Sequence, residues 1–263
     1  MFYFIIFIFG TAIGSFLNCV ICRLREKKDF LLTRSACPTC NHKLGFRDLI
    51  PVLSFIFLKA KCRYCQKKIS WQYPLVEIAT GLLFLLIFVP SGHLPQGDNF
   101  QNIIHTFYLM LLACFLIIIF VYDLKYYLIP SKIVYFGVGI IFFYNMFNSY
   151  FIVHNSSFFI NSLISAFLGS IFFLIIFLIS RGQWMGFGDV ELAFFMGLFL
   201  GFPKILLALF LSFLIGAIIG LGLIALKKKE LKSEVPFAPF LVLGTFIALF
   251  WGQEIIGWYL GKF

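Results

Sequence analysis

The sequence predicts an all-α polytopic integral membrane protein with about eight transmembrane helices and a small cytoplasmic zinc-binding loop domain between the first two spans. Two observations predict the membrane class: 62% of the 263 residues are hydrophobic and only 12% are charged, and the mean hydropathy is +1.00. A soluble domain of this length does not need so much apolar surface. A third observation, two cysteine pairs in the only long polar segment, predicts the loop domain.

The apolar runs place the spans. The first run, residues 2–22, is a retained membrane helix, because basic residues follow it and no small-residue cleavage site ends it. Each span needs about 20 mostly apolar residues. Further spans are predicted at 75–90, 102–122, 132–150, 159–180, 190–202, 204–226 and 237–259. The sixth span is short, which indicates that it is tilted or that spans six and seven are arranged differently.

Basic residues set the orientation of the spans. Twelve of the 21 lysines and arginines lie in the segment 23–68, so the positive-inside rule makes this segment cytoplasmic. With eight crossings, the basic loops at 123–132 and 227–232 fall on the same side, and the loop at 91–101 falls outside. The topology thus explains the net charge of +10. We expect the basic residues to interact with anionic membrane lipid and not with nucleic acid.

Four of the seven cysteines predict a metal site. They form the pairs Cys37-Pro-Thr-Cys40 and Cys62-Arg-Tyr-Cys65, which can bring four thiolates onto one Zn²⁺. Thiols stay reduced in the cytoplasm, so two disulfides are the weaker explanation, with redox chemistry or unliganded thiols as further alternatives. Four sulfur ligands leave no position open for water, so the predicted zinc is structural.

Two acidic residues at the cytoplasmic ends of spans predict chemistry. Asp123 ends an uncharged run, and Asp189 opens the sixth span. Taken singly, Asp189 can cap a helix N-terminus, and Asp123 can pair with Lys125 or Arg181. Two carboxyls held within about 4–6 Å share one proton, however, and such a dyad can hydrolyse a peptide bond. The ionised member takes a proton from water while the protonated member polarises the carbonyl.

The glycines before the second aspartate fit hydrolysis. Gly186 and Gly188 have no side chain, so they allow a substrate backbone to approach closely. One alternative class is a transporter or ion pathway in which the two aspartates bind a cation or relay protons. Such sites lie near the bilayer midplane, whereas both aspartates fall at the cytoplasmic boundary. The other alternative is that the protein is a scaffold of a secretion machine, built on the zinc loop, in which Asp123 and Asp189 have only structural roles.

Six motifs follow one another along nearly the whole chain. They are GSFLNCVICRL at 14–24, CPTC at 37–40, IPVLSFIFLKAKCRYCQKKISWQYPLVE at 50–77, YDLKYYLIP at 122–130, GFGDVEL at 186–192 and VPFAPFLVLG at 235–244. In this order they resemble the type IV prepilin peptidase family, a group of GxGD-type intramembrane aspartyl proteases. Any single motif is modest support, and the order of all six makes the resemblance specific.

The resemblance implies an activity and a location. It implies cleavage of the basic leader of type IV prepilins and pseudopilins after a glycine, at the cytoplasmic face of the bacterial inner membrane. Asp123 and Asp189 match the family's catalytic aspartates. The long cysteine loop implies the bifunctional form, which also N-methylates the new N-terminal residue with S-adenosyl-L-methionine. A peptidase without methylation is the alternative, and type IV pilus assembly and type II secretion are the settings.

The resemblance also divides the chain. Residues 1–22 form the first transmembrane span, residues 23–73 the methyltransferase-associated zinc loop, and residues 74–263 the membrane peptidase domain.

Two positions depart from the family's usual pattern: Glu191 replaces a frequent lysine, and Ser131 replaces a frequent Asp or Asn. Residues i and i+2 point about 200° apart on a helix, so we expect Glu191 to lie outside the dyad.

The methyl-donor site has no motif of its own. The sequence contains no glycine-rich nucleotide fingerprint. Asn18 and Glu77 are the candidates for binding the cofactor, because each is a polar group at the membrane edge of a span that flanks the cysteine loop. The alternative for Asn18 is an interhelical hydrogen bond, and the alternative for Glu77 is pairing with a loop arginine or lysine.

Overall fold

The structure is a computed structural model. It describes residues 2–26, 35–89, 99–152, 154, 156–226 and 235–261. Residues 91–98 of the predicted outer loop and the predicted basic loop at 227–232 lie outside these ranges. Within them the chain is helical and contains no strand longer than an isolated bridge.

The described residues form nine α-helices, eight long and one short, together with a 3₁₀ helix at Phe46–Asp48 and a π-helix at Asn148–Ile152. The bounds are α1 Phe2–Glu26, α2 Leu53–Phe57, α3 Gln72–Phe88, α4 Asn99–Tyr126, α5 Ser131–Phe147, α6 Ser156–Ser180, α7 Phe187–Leu200, α8 Lys204–Ala225 and α9 Ala238–Leu260. The long helices lie where the eight spans are predicted. Six of them are long and apolar enough to cross a membrane. The other two, α3 and α7, have 17 and 14 residues, so the helices are confirmed and a count of eight crossings stays a prediction.

The chain divides into two compact units, Met1–Ile118 and Ile119–Phe263. In the first unit, α1 packs closely along α3 through glycines. A Cβ on Gly14 would lie 2.7 Å from the Cα of Glu77, and one on Gly10 would lie 2.8 Å from the Cα of Gly81. Small residues four apart allow this approach of two membrane helices. The two helices that flank the cysteine segment are therefore held side by side.

In the second unit, α7 lies at the centre. It packs against α6 and also contacts α5 and α9, while α8 packs against α9. A Cβ on Gly197 of α7 would lie 2.6 Å from the Cα of Ala166 on α6. The Asn145 side chain on α5 donates a hydrogen bond of 2.9 Å to the carbonyl of Leu198. A helix enclosed by its neighbours in this way need not be long enough to cross a bilayer, and it carries Asp189 in its first turn.

Candidate active site and metal centre

Asp189 is placed by the start of α7. Gly186 precedes the helix as its N-cap, and the Asp189 side chain lies three residues later. Its carboxylate accepts a hydrogen bond from the backbone N–H of Gly186, which is one half of a capping box. The side chain is only 7% exposed. The capping role expected for an acid here is therefore present, in a position that also buries the carboxyl.

Asp123 is placed by two helices. It lies in the last turns of α4 and is 4% exposed. Its carboxylate accepts a hydrogen bond from the backbone N–H of Ala238, the first residue of α9. The C-terminal end of α4 disfavours an anion, but the N-terminus of α9 favours one and has N–H groups to satisfy. The other carboxyl oxygen, Oδ2, is buried without a hydrogen-bond partner.

The two carboxyls belong to one site. The helices α7 and α9 are in contact, and Asp123 and Asp189 interact electrostatically. The alternative explanation for Asp123, an ion pair with Lys125 or Arg181, is not seen among the described residues. The Lys125 ammonium lies 5.3 Å from the ring centre of Tyr126. The N-termini of α7 and α9 each supply one N–H donor to one of the two carboxyls, and the buried Oδ2 of Asp123 is left without a hydrogen-bond partner. This arrangement suits a general acid and a general base acting together.

The two glycines differ in their surroundings. A Cβ on Gly188 would lie 2.8 Å from the Cβ of Ile129, in the segment that follows α4. Glycine at this position is thus required by internal packing. A Cβ on Gly186 would meet nothing closer than the Gly188 nitrogen at 3.9 Å. Close approach of a substrate backbone stays a prediction for both, and Gly186 is the one with open space beside it.

Glu191 has a partner that the sequence did not reveal. Its Oε1 accepts a hydrogen bond of 2.6 Å from the hydroxyl of Tyr135 on α5, and its Oε2 is buried without a partner. Tyr135 and the backbone donor of Ala238 are the two site groups missed by sequence analysis. A backbone N–H leaves no residue signature, and the only available signal for Ala238 was its place within the motif VPFAPFLVLG.

The four predicted metal ligands come together. The sulfur atoms of Cys37, Cys40, Cys62 and Cys65 all lie within 4.8 Å of one another. The distance between the sulfurs of Cys37 and Cys65 is 3.9 Å. Four sulfurs at a zinc distance of about 2.3 Å are about 3.8 Å apart in a tetrahedron. The cluster therefore fits Zn²⁺, which would hold the loop together there.

The two cysteine pairs have the same backbone design. In each, the first cysteine of the pair donates to a residue five positions later and accepts from a residue four positions later. The bonds are Cys37 N to His42 O, Asn41 N to Cys37 O, Cys62 N to Lys67 O and Gln66 N to Cys62 O. In the first turn, the backbone N–H of Cys40 lowers the pKa of the Cys37 thiol to about 6. The thiolate is the form that binds a metal. For Cys65, the backbone N–H of Lys67 is outweighed by burial and by the neighbouring sulfurs, which raise the pKa of that thiol to about 11.

One acid connects the two turns. Asp48 forms an ion pair of 2.9 Å with Arg63 of the second pair. It also accepts hydrogen bonds from the Tyr64 hydroxyl at 3.3 Å and from the Gly45 N–H at 3.1 Å. The ring of His42 stacks on that of Tyr64, with centres 3.6 Å apart. These contacts bring the segments after Cys40 and within the second pair together, which supports the four-sulfur arrangement.

Asn18 and Glu77 make internal hydrogen bonds. The Asn18 amide donates to the carbonyl of Tyr73 at 3.1 Å and accepts from the Gln72 side chain at 3.3 Å. The Glu77 carboxylate accepts from the backbone N–H of Val52 at 2.7 Å. Asn18 thus makes the interhelical hydrogen bond that was the alternative to cofactor binding. Glu77 accepts a hydrogen bond from a loop N–H, whereas the alternative for it was pairing with a loop arginine or lysine. A role toward the methyl donor stays a prediction for both residues.

The fold and the site define a polytopic, all-helical membrane protein with a buried aspartate pair and a four-cysteine cluster. Residues 8–90 match the bacterial Peptidase A24 N-terminal domain, and residues 110–221 match the type IV leader peptidase family. These matches agree with the resemblance found in the motifs.

Relatives over the full length identify the family. A prepilin leader peptidase/N-methyltransferase of Aeromonas salmonicida is 31% identical, over 99% of this chain and 94% of that protein. Proteins of the same name are 32% identical in Bacillus subtilis, over 97% of both chains, and 29% identical in Pseudomonas aeruginosa, over 95% of this chain and 91% of that protein. The chain belongs to the prepilin leader peptidase/N-methyltransferase family. No solved structure matches it.

Proposed function

We propose that this protein is a bifunctional prepilin processing enzyme of the bacterial inner membrane. It cleaves the basic leader of type IV prepilins and pseudopilins after a glycine, at the cytoplasmic membrane face, and N-methylates the new N-terminal residue. The observation that carries the peptidase part is the pairing of Asp123 with Asp189. Two acids 66 positions apart in the sequence are both buried, interact with each other, and each accept a hydrogen bond at a helix N-terminus.

The pair works as an acid and a base. One carboxylate takes a proton from a water molecule, whose oxygen attacks the carbonyl carbon of the leader's last glycine. The protonated carboxyl donates its proton toward the carbonyl oxygen. Collapse of the tetrahedral species breaks the C–N bond, and the new amine receives the proton that the base took from water. The unpartnered Oδ2 of Asp123 supports a role for this residue in binding the water.

The four-cysteine cluster has a structural part in this proposal. With Zn²⁺ bound, it would supply stability to a loop that has little apolar core, and no coordination position for catalysis. S-adenosyl-L-methionine is the proposed methyl donor by family membership. The candidate residues are each engaged in internal hydrogen bonds, Asn18 with Tyr73 and Gln72, and Glu77 with Val52, so no step of methyl transfer is derived from them.

The test is cleavage of a prepilin by the purified full-length protein. Asp123→Asn and Asp189→Asn should each abolish cleavage, because one acid and one base are both needed. Glu191→Gln is the matched control, since it removes a carboxylate from the same helix as Asp189 and leaves the pair intact. Cleavage at the wild-type rate by either aspartate variant would refute the mechanism.

Methylation is tested in the same reaction. Mass spectrometry of the mature N-terminus should give a mass increase of one methyl group only when S-adenosyl-L-methionine is added. An unmethylated product in the presence of the cofactor would leave the peptidase as the sole activity.

A further inference from the structure

The short helix α2 turns an apolar face outward. Leu53, Ile56 and Phe57 are 51%, 61% and 80% exposed, and the spacing i, i+3, i+4 places all three on one side. Phe55, on the other side, is buried and packs on the ring of Trp71 at 4.9 Å between centres. One side of α2 therefore packs into the loop through Phe55, and the opposite side exposes three apolar side chains.

A hydrogen bond fixes the depth of α2 along α3. The residue that precedes α2, Val52, donates its N–H to Glu77 at 2.7 Å. Glu77 lies five residues beyond Gln72, the first residue of α3, which is about 7.5 Å along the helix axis. The apolar helix α3 packs along the candidate span α1. The start of α2 is thus held beside the apolar part of α1 and α3, about one and a half turns inside the first residue of α3.

The residues on both sides of α2 carry positive charge. Arg47 precedes it, and Lys59 and Lys61 follow it, all three with exposed side chains. An apolar face bordered by basic residues is complementary to a bilayer with anionic headgroups, in which the apolar side chains enter the acyl boundary and the cations stay at the headgroups.

We infer that α2 is an interfacial membrane anchor. Its face of Leu53, Ile56 and Phe57 inserts into the bilayer beside α1 and α3, and the flanking lysines and arginine bind anionic lipid headgroups. The anchor holds the four-cysteine loop on the membrane surface, where the loop is also attached through its chain connections to α1 and α3. The inference concerns a lipid-binding surface and is independent of the proposed catalytic activities.

Photocrosslinking tests this contact in the full-length protein. Benzoylphenylalanine replaces Phe57 in one variant and Lys67, an exposed residue of the second cysteine turn, in the matched control. Both are reconstituted in vesicles of phosphatidylethanolamine and phosphatidylglycerol and irradiated. Mass spectrometry should find several-fold more lipid adduct at position 57 than at position 67.

Each other outcome contradicts the anchor. A crosslink at position 57 to a second copy of the chain, or to an added prepilin, would make the face a protein-binding surface. Equal lipid adduct at both positions, or none at position 57, would mean that α2 does not enter the bilayer.

A second measurement does not depend on crosslinking. The variant Phe57→Trp in vesicles with brominated acyl chains should lose more tryptophan fluorescence than the wild-type protein does, because the added indole lies beside the bromines. Quenching no greater than that of the wild type would overturn the inference in the same way.

Discussion

Replacing Gly14 by alanine is expected to force α1 and α3 apart. The new Cβ would lie 2.7 Å from the Cα of Glu77 and 2.9 Å from the Oγ1 of Thr80. Carbon atoms at ordinary contact are about 3.5–4.0 Å apart, so the helices must separate by about 1 Å. Because the nearest atom belongs to the backbone, no change of rotamer relieves the collision. Overpacking of this kind costs about 1–3 kcal/mol.

The measurement is thermal unfolding of the purified protein, followed by tryptophan fluorescence. For a chain of this size the cost corresponds to a decrease in Tm of about 2–12 °C. Gly139→Ala is the matched control, because Gly139 is also helical and a Cβ there meets no atom within 4 Å. Alanine is the better helix former, so the control should melt at the wild-type temperature or slightly above it.

The same variant has a local consequence. The collision falls on Glu77, whose carboxylate holds Val52 at the start of the cysteine loop's short helix. Gly14→Ala should therefore also release zinc to a chelator faster than Gly139→Ala does. If the two variants had the same Tm and the same rate of zinc release, the close packing of α1 on α3 would be refuted.

Four further substitutions test the second unit and the metal cluster. Gly188→Ala should lower Tm because of its collision with a neighbouring side chain. Gly186→Ala should lower Tm less, since it only replaces a glycine N-cap by alanine, and should raise KM for prepilin; a loss of Tm as large as that of Gly188→Ala would contradict the open space beside Gly186. Tyr135→Phe removes the hydrogen bond to Glu191, and since this pair is partly exposed, we expect a loss in kcat/KM of several-fold at most, equivalent to about 1 kcal/mol. Cys62→Ser should reduce bound zinc from one ion per chain to a weakly held fraction, as measured by elemental analysis; full retention of tightly bound zinc would contradict four-sulfur coordination.

The helices were predictable because long apolar runs leave few alternatives. The predicted spans at 75–90 and 204–226 correspond to α3 over Gln72–Phe88 and α8 over Lys204–Ala225. The cysteine cluster was predictable from spacing, because two Cys-x-x-Cys pairs in a polar loop commonly bind one metal ion. The family resemblance from six motifs is confirmed by full-length relatives.

What the sequence could not predict depends on contacts between distant segments. The partners of Asp123 and Glu191 are a backbone N–H on α9 and a hydroxyl on α5, and neither follows from local periodicity. The role of Gly188 was likewise hidden, because its close neighbour Ile129 lies 59 positions earlier. The hydrogen bond that holds the start of α2 beside α3 runs from the Val52 N–H to Glu77, a residue that on sequence grounds was a candidate for binding the methyl donor.

The bond between Asp123 and the first N–H of α9 joins two parts of the second unit that are far apart in the sequence. A growing polypeptide places Asp123 and Asp189 in the membrane well before Ala238 leaves the ribosome. Without α9, Asp123 would lack the hydrogen bond from Ala238, and its carboxyl would lie at the unfavourable C-terminal end of α4. The surroundings that the structure gives Asp123 are therefore complete only once the chain has been synthesised as far as α9.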